Sequence, residues 1–166
     1  MGVANGEGLW LEFDAMKTIV AAVDFSDASK PVLETAASIA AAFGATLKLV
    51  HIVEPEPTYS AYGFTPEEFP AIHTFQKEAR SRAEQALEKQ KEGVPGDVAA
   101  VETHLLEGNP LHALLDFGKD QNADLVVLGS HGHGVVASVL LGSVAEGMVR
   151  KAEIPALIVP APHREK

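Results

Sequence analysis

The chain contains no cysteine. A disulfide framework, a thiolate zinc site and a cysteine nucleophile are therefore excluded. Positive charge is also scarce: 13 Lys and Arg stand against 23 Asp and Glu, a net charge of -10. That balance disfavours nucleic acid and anionic membrane surfaces, both of which attract basic proteins. An anionic ligand must then be held by local geometry against the field of the whole chain. No apolar run reaches the roughly 18–20 residues that span a bilayer. Residues 1–15 lack the basic start and long apolar core of a signal peptide. Together these features predict a cytoplasmic protein.

What is present is an ordinary globular composition. Of 166 residues, 46% are hydrophobic and 22% charged, as expected for a single folded domain. We place that domain at residues 16–162. It follows a poorly ordered extension (1–15), for which Trp10, Leu11 and Phe13 offer anchors if it is instead an ordered arm. Residues 163–166 form a polar tail.

Five apolar segments alternate with helical patterns. KTIVAAVD (17–24) reads as a first strand ending in Asp24. Ser26, Asp27 and Ser29 offer caps for a helix in which Pro31 suits the first turn. Its apolar stripe is Val32, Leu33, Ala36, Ala37, Ala40 and Phe43, and Gly44 ends it. ATLKLVHIV (45–53) is a second strand. A long loop from Glu54 to Pro70 carries Tyr59, Tyr62 and Phe64, which close over the crevice mouth unless the loop is a variable insertion. A second helix runs from about Pro70 to Lys91 with Ile72, Phe75, Ala79, Ala83 and Ala86 on its stripe. Val98–Leu106 is a less apolar strand and so belongs near an edge. Asn109-Pro110 caps and starts a third helix reaching Asp120. LVVL (125–128) is a fourth strand, buried on both faces. IPALIVP (154–160) is a fifth, which its prolines bar from the sheet centre. The order βαβαβαβαβ predicts an α/β fold with a parallel sheet and helices on both faces. Ligands in such sheets sit beyond the C-terminal strand ends, where the strand order reverses.

The fourth strand leads into GSHGHG (129–134) and then Gly142-Ser143. Ser143 and Glu146 fit the S-x-x-E capping box, which makes Ser143 a helix cap. A glycine loop facing a helix start is a natural anion site, because free backbone N–H groups point outward there. The alternatives are that Ser143 only caps, that Asp24 only bonds its own turn, and that the glycines serve packing. A Walker A sequence is absent. Gly132-x-Gly134-x-x-Ala137 matches the dinucleotide fingerprint, but at the fourth strand and with no acid ending the next. His131 and His133 form an H-x-H pair with no third ligand fixed nearby, which argues against a dedicated metal site.

Gly129-x2-Gly132-x9-Gly142-Ser143 resembles the ATP-binding signature of the universal stress protein A family. VAAVDFSDASKP and LLGSVAEGMVRKAEIPALIVP resemble that family's first and last segments in the same order. The resemblance implies a flavodoxin-like five-stranded sheet in the order 3-2-1-4-5 and dimerisation through the fifth strand (154–160). It implies an adenine nucleotide, ATP or ADP or AMP, with magnesium arriving on the phosphates. Asp24 would face the ribose or adenine, Val50 the adenine through its backbone, and Gly129 the ribose. Gly132, Gly142, Ser143 and Val144 would hold phosphate. Position 133, often basic in the family, is His133, which presents one donor and no charge when neutral. The expected function is a dimeric, nucleotide-dependent regulatory module in stress response, with an unidentified protein partner. A slow ATPase and a ligand-free interaction dimer are the alternatives.

Overall fold

The computed structural model describes residues 16–54, 70–132 and 141–161, with backbone alone for 70–73. The elements are β1 (Thr18–Ala22), α1 (Ser29–Phe43), β2 (Thr46–Val53), α2 (Pro70–Glu92), β3 (Ala100–Glu107), α3 (Pro110–Asp120), β4 (Leu125–Gly129), α4 (Ser143–Lys151) and β5 (Ala156–Val159). The proposed extension 1–15, the aromatic residues of the loop after Glu54, the side chain of Ile72, His133 and the tail 163–166 lie outside the described residues.

All four strand pairings are parallel, and the sheet order is β3-β2-β1-β4-β5. This is the flavodoxin-like order that the resemblance implied. Strand alternation sends Ile19, Ala21, Leu47, Leu49, Leu125 and Val127 to one face, against Val32, Ala36, Ala37 and Ala40 of α1 and Leu87 of α2. Val20, Val50, Val126 and Leu128 go to the other face, against Leu114 of α3 and Ala145 and Met148 of α4. β1 and β4 are therefore central and covered twice. β3 and β5 are edges, and β5 is shorter than the 154–160 read from sequence because Pro155 contributes only its carbonyl, which accepts from the Val126 N–H at 2.9 Å. No described helix is long and apolar enough to cross a membrane.

Three local expectations are corrected. Helix α1 has Ala28 at its N-cap with no side-chain cap bond, because Ser26 and Ser29 turn their hydroxyls to Asp24 instead. Phe43, at the end of α1, is 41% exposed although it sits on the helical stripe. Helix α2 buries Leu87 (1% exposed) and Ala83, while Phe75 is 56% exposed with the Arg82 guanidinium 6.0 Å from its ring centre. The periodicity of α2 was real, but its buried face is centred further along the helix than the aromatic suggested.

One polar cluster sits on the sheet itself. Lys48 of β2 is paired across the ladder with Glu102 of β3, and its ammonium bonds that carboxylate. His104 Nε2 lies 3.2 Å from the same carboxylate, and its ring packs on Phe117 of α3. The bond from Lys48, and then that from His104, hold the Glu102 carboxyl below the usual glutamate range.

Three outcomes follow. Leu87→Ala is expected to cost about 2–5 kcal/mol in denaturant unfolding. Phe75→Ala is expected to stay within about 0.5 kcal/mol. Glu102 has a depressed native pKa, so its stabilisation is present above the unfolded-state value and is lost as pH falls through the native one. Glu102→Gln should thus be less stable than the parent at neutral pH, and the gap should close below about pH 4, near the ordinary glutamate value. A gap that persists in acid would contradict that origin.

Candidate functional site

Asp24 stands two residues beyond β1, and its carboxylate organises the turn into α1. Oδ1 accepts from the Ser26 N–H (3.0 Å), the Ser26 hydroxyl (2.6 Å) and the Ser29 hydroxyl (3.0 Å). The Asp24 N–H in turn donates to Ser29 Oγ at 3.1 Å. Ser29 is only 3% exposed, so its hydroxyl is committed to this turn. Phe25 takes a positive φ of 62° to let the chain double back, and its ring lies 4.2 Å from that of His51. His51 Nδ1 is 2.8 Å from the Val23 carbonyl, which ties the end of β2 to the same turn.

Facing it, the chain leaves β4 through Gly129, Ser130, His131 and Gly132. A Cβ on Gly132 would lie 2.9 Å from Asp24 Oδ2, closer than real Cβ atoms come to a neighbour. Gly132 is therefore required by the approach of the loop to the carboxylate. Gly142 is fitted against the same loop: its N–H donates to the Ser130 carbonyl at 2.7 Å, and a Cβ there would meet Ser130 O at 3.3 Å. Ser130 is fixed further by its own N–H on the Val159 carbonyl (2.8 Å) and by the Ala161 N–H on its hydroxyl (3.0 Å). Its hydroxyl is 2.9 Å from His131 Nδ1.

Helix α4 starts at this point. Its N-cap is Gly142, in extended backbone, and no side chain caps it. Ser143 is the first helical residue and is exposed, so the capping box read from the sequence is not formed. Glu146 instead pairs with Arg150 at 2.8 Å, and its N–H bonds the Gly142 carbonyl. The Ser143 hydroxyl and the first N–H groups of α4 are left facing the opening, where a helix N-terminus attracts anions.

Between these walls lies a cleft of about 560 Å³. Asp24, Gly129, Gly132, Gly142, Ser143 and Val144 all line it. Val50 does not: it is fully buried, and its carbonyl accepts from the Val23 N–H at 2.9 Å. Ala22 pairs with Val50, so continuing the register puts Ile52 level with Asp24. The β2 residues that do line the cleft are His51 and Ile52, followed by Glu54. The start of α3 supplies a further wall that the sequence reading did not include, with Asn109, Leu111 and His112. There the Asn109 side chain accepts from the His112 N–H, as its capping position predicts. His131 also lines the cleft, with Nε2 buried and unpartnered among the described residues. Among the described residues, no group of three or more metal-binding side chains converges.

Comparison with known proteins places this geometry in a family. The model of the Universal stress protein family matches residues 16–160. A universal stress protein of Thermus aquaticus is 36% identical over 148 residues, covering 86% of this chain and 98% of the relative. The universal stress protein UspA of Lactobacillus plantarum matches in fold with a TM-score of 0.76 at 24% identity, over 87% of this chain and 98% of that one. A universal stress protein solved in complex with cAMP matches with a TM-score of 0.63 at 26% identity, over 89% and 99%. One from Archaeoglobus fulgidus in complex with dAMP matches with a TM-score of 0.59 at 26% identity, over 87% and 98%. The chain belongs to the universal stress protein family.

Proposed function

We propose that this protein is a nucleotide-dependent regulatory module whose cleft binds an adenine nucleotide, ATP among them. The observation that carries this reading is the joint fit of Gly132 against Asp24 and of Gly142 against Ser130. It keeps side chains out of the space between a carboxylate and an open helix start. Asp24 and the end of β2 suit the nucleoside, the carboxylate accepting from ribose hydroxyls and Ile52 giving an apolar wall. The loop 129–132, Ser143 and Val144 suit phosphate, with backbone N–H groups and a hydroxyl as donors. Magnesium would arrive on the phosphates, since the described residues offer it no cage of their own. The structures of relatives with cAMP and dAMP show that members of this fold take adenylates.

We assign dimerisation to β5. Its outer edge is unpaired among the described residues, while Leu157 packs toward one core and Ile158 toward the other. Val149 of α4 adds a side chain 65% exposed. An apolar edge strand of this kind is covered in soluble proteins, and a second copy of the same edge is the simplest cover. Light scattering at micromolar concentration should give twice the chain mass; a monomer mass refutes the assignment.

The nucleotide reading is tested by titration calorimetry of nucleotide-free protein with magnesium-ATP. Binding near one per chain is expected, and no heat up to millimolar ATP overturns the reading. Gly132→Val should abolish binding, because the new side chain displaces Asp24. Ser143→Ala should weaken it by roughly fivefold, the worth of one hydrogen bond. Because that hydroxyl caps nothing, the same variant should change stability by less than about 0.5 kcal/mol.

A further inference from the structure

The nucleotide reading leaves open how much charge the cleft accepts, and the residues around it bear on that. Among the described residues that line the cleft there is no lysine or arginine, whereas two carboxylates, Asp24 and Glu54, do line it. The segments joining β2 to α2 (55–69) and β4 to α4 (133–140) contain no lysine or arginine in their sequences. Two cations on the helices that open onto the cleft are paired within those helices. Lys30 of α1 pairs with Glu34 at 3.9 Å with its side chain 81% exposed, and Arg150 of α4 pairs with Glu146.

The donors that remain are neutral. The start of α4 gives backbone N–H groups and the Ser143 hydroxyl. His131 gives Nε2, and its state follows from its neighbour. The Ser130 hydroxyl accepts from the Ala161 N–H and lies 2.9 Å from His131 Nδ1, to which it can give its proton. A neutral His131 receiving that proton at Nδ1 carries its own hydrogen on Nε2, the buried atom with no partner among the described residues. In that tautomer the imidazole offers the cleft an N–H donor that carries no charge. Three helices, α1, α3 and α4, begin at the cleft, and each start contributes on the order of half a positive charge. Two carboxylates roughly offset that sum. The cleft is close to electrically neutral inside a chain of net charge -10.

We infer that this site is charge-limited, a conclusion that rests on the nucleotide reading and refines it. Without a divalent cation the cleft takes an adenine nucleotide bearing one phosphate, and it takes a triphosphate only as its metal complex. A single phosphate can be satisfied by the α4 donors and His131 Nε2. Two further phosphates add charge that no described side chain lining the cleft neutralises, and a bound divalent ion removes most of that excess.

The test is calorimetry of the full chain with adenosine, AMP and ATP, each in EDTA and in excess magnesium, at pH 8, above the ordinary histidine range of about 6.5. Expected is AMP binding with little response to magnesium, and ATP binding at least about tenfold weaker than AMP in EDTA but restored by magnesium. Leu141→Lys adds a cation beside the start of α4 at a residue 45% exposed and outside the cleft lining. It should tighten ATP in EDTA by about threefold, as a partly exposed charge does, and leave adenosine unchanged. ATP binding in EDTA as tightly as AMP overturns the charge limit and leaves the nucleotide site standing. So does a Leu141→Lys effect equal for adenosine and ATP. Failure of all three ligands in both buffers overturns the nucleotide reading itself, and the charge limit with it.

Discussion

The carboxylate of Asp24 is the point on which the cleft depends. Three donors converge on one of its oxygens, at 2.6 to 3.0 Å, and all come from the turn that follows it. Hydrogen bonds to an ionised acceptor contribute about 1.5–3 kcal/mol each. That is enough to hold Phe25 in a left-handed conformation and to draw Ser26 and Ser29 away from the helix they would otherwise cap. The other oxygen faces Gly132 across a gap that admits no Cβ. One side chain therefore sets the β1–α1 turn and the position of the β4 loop against it.

The rest of the cleft follows from parallel pairing. With all strands running one way, the helices that follow β1, β3 and β4 begin at the same edge of the sheet. α1, α3 and α4 then begin at one opening, and the partial charges of their starts add. Gly142 brings α4 within hydrogen-bonding distance of Ser130, while Ser130 is tied to β5 through Val159 and Ala161. Ser130 thus ties the loop after β4 to β5. A partner pairing with β5 and a ligand in the cleft would both bear on Ser130 and, through its hydroxyl, on His131.

Much of this was legible in the amino-acid order. Five apolar runs separated by helical patterns were sufficient for the sheet, and the spacing of Gly129, Gly132 and Gly142-Ser143 pointed to the loop and the helix start. Register was harder to read. The resemblance set Val50 against the adenine, but a family motif does not carry register: Ala22 pairs with Val50, so Ile52 stands level with Asp24, and His51 and Ile52 line the cleft. Ser143 matched a capping box, yet the extended backbone at Gly142, held by its N–H on the Ser130 carbonyl, sets the cap one residue earlier, and Glu146 pairs with Arg150. Leu87 was passed over for Phe75 because a periodic stripe does not say which part of a long helix meets the sheet. Asn109 was read as a helix cap and is one, but its place on the cleft wall depends on how α3 packs, which no local pattern encodes.

A cradle of neutral donors also bears on what such a site does with a nucleotide. Phosphoryl transfer is accelerated mainly by positioning and by charge that meets the developing negative charge of the transition state. The described part of this cleft supplies positioning: two fitted glycines, a helix start and a carboxylate locked in place. The charge it places at the mouth is that of Glu54, which works against an accumulating anion. Interactions that hold substrate and transition state equally do not lower the barrier between them. On the proposed nucleotide reading, the described lining suits occupancy better than turnover. A ligand there would bear on Ser130, which joins the start of the loop after β4 to β5 through Val159 and Ala161.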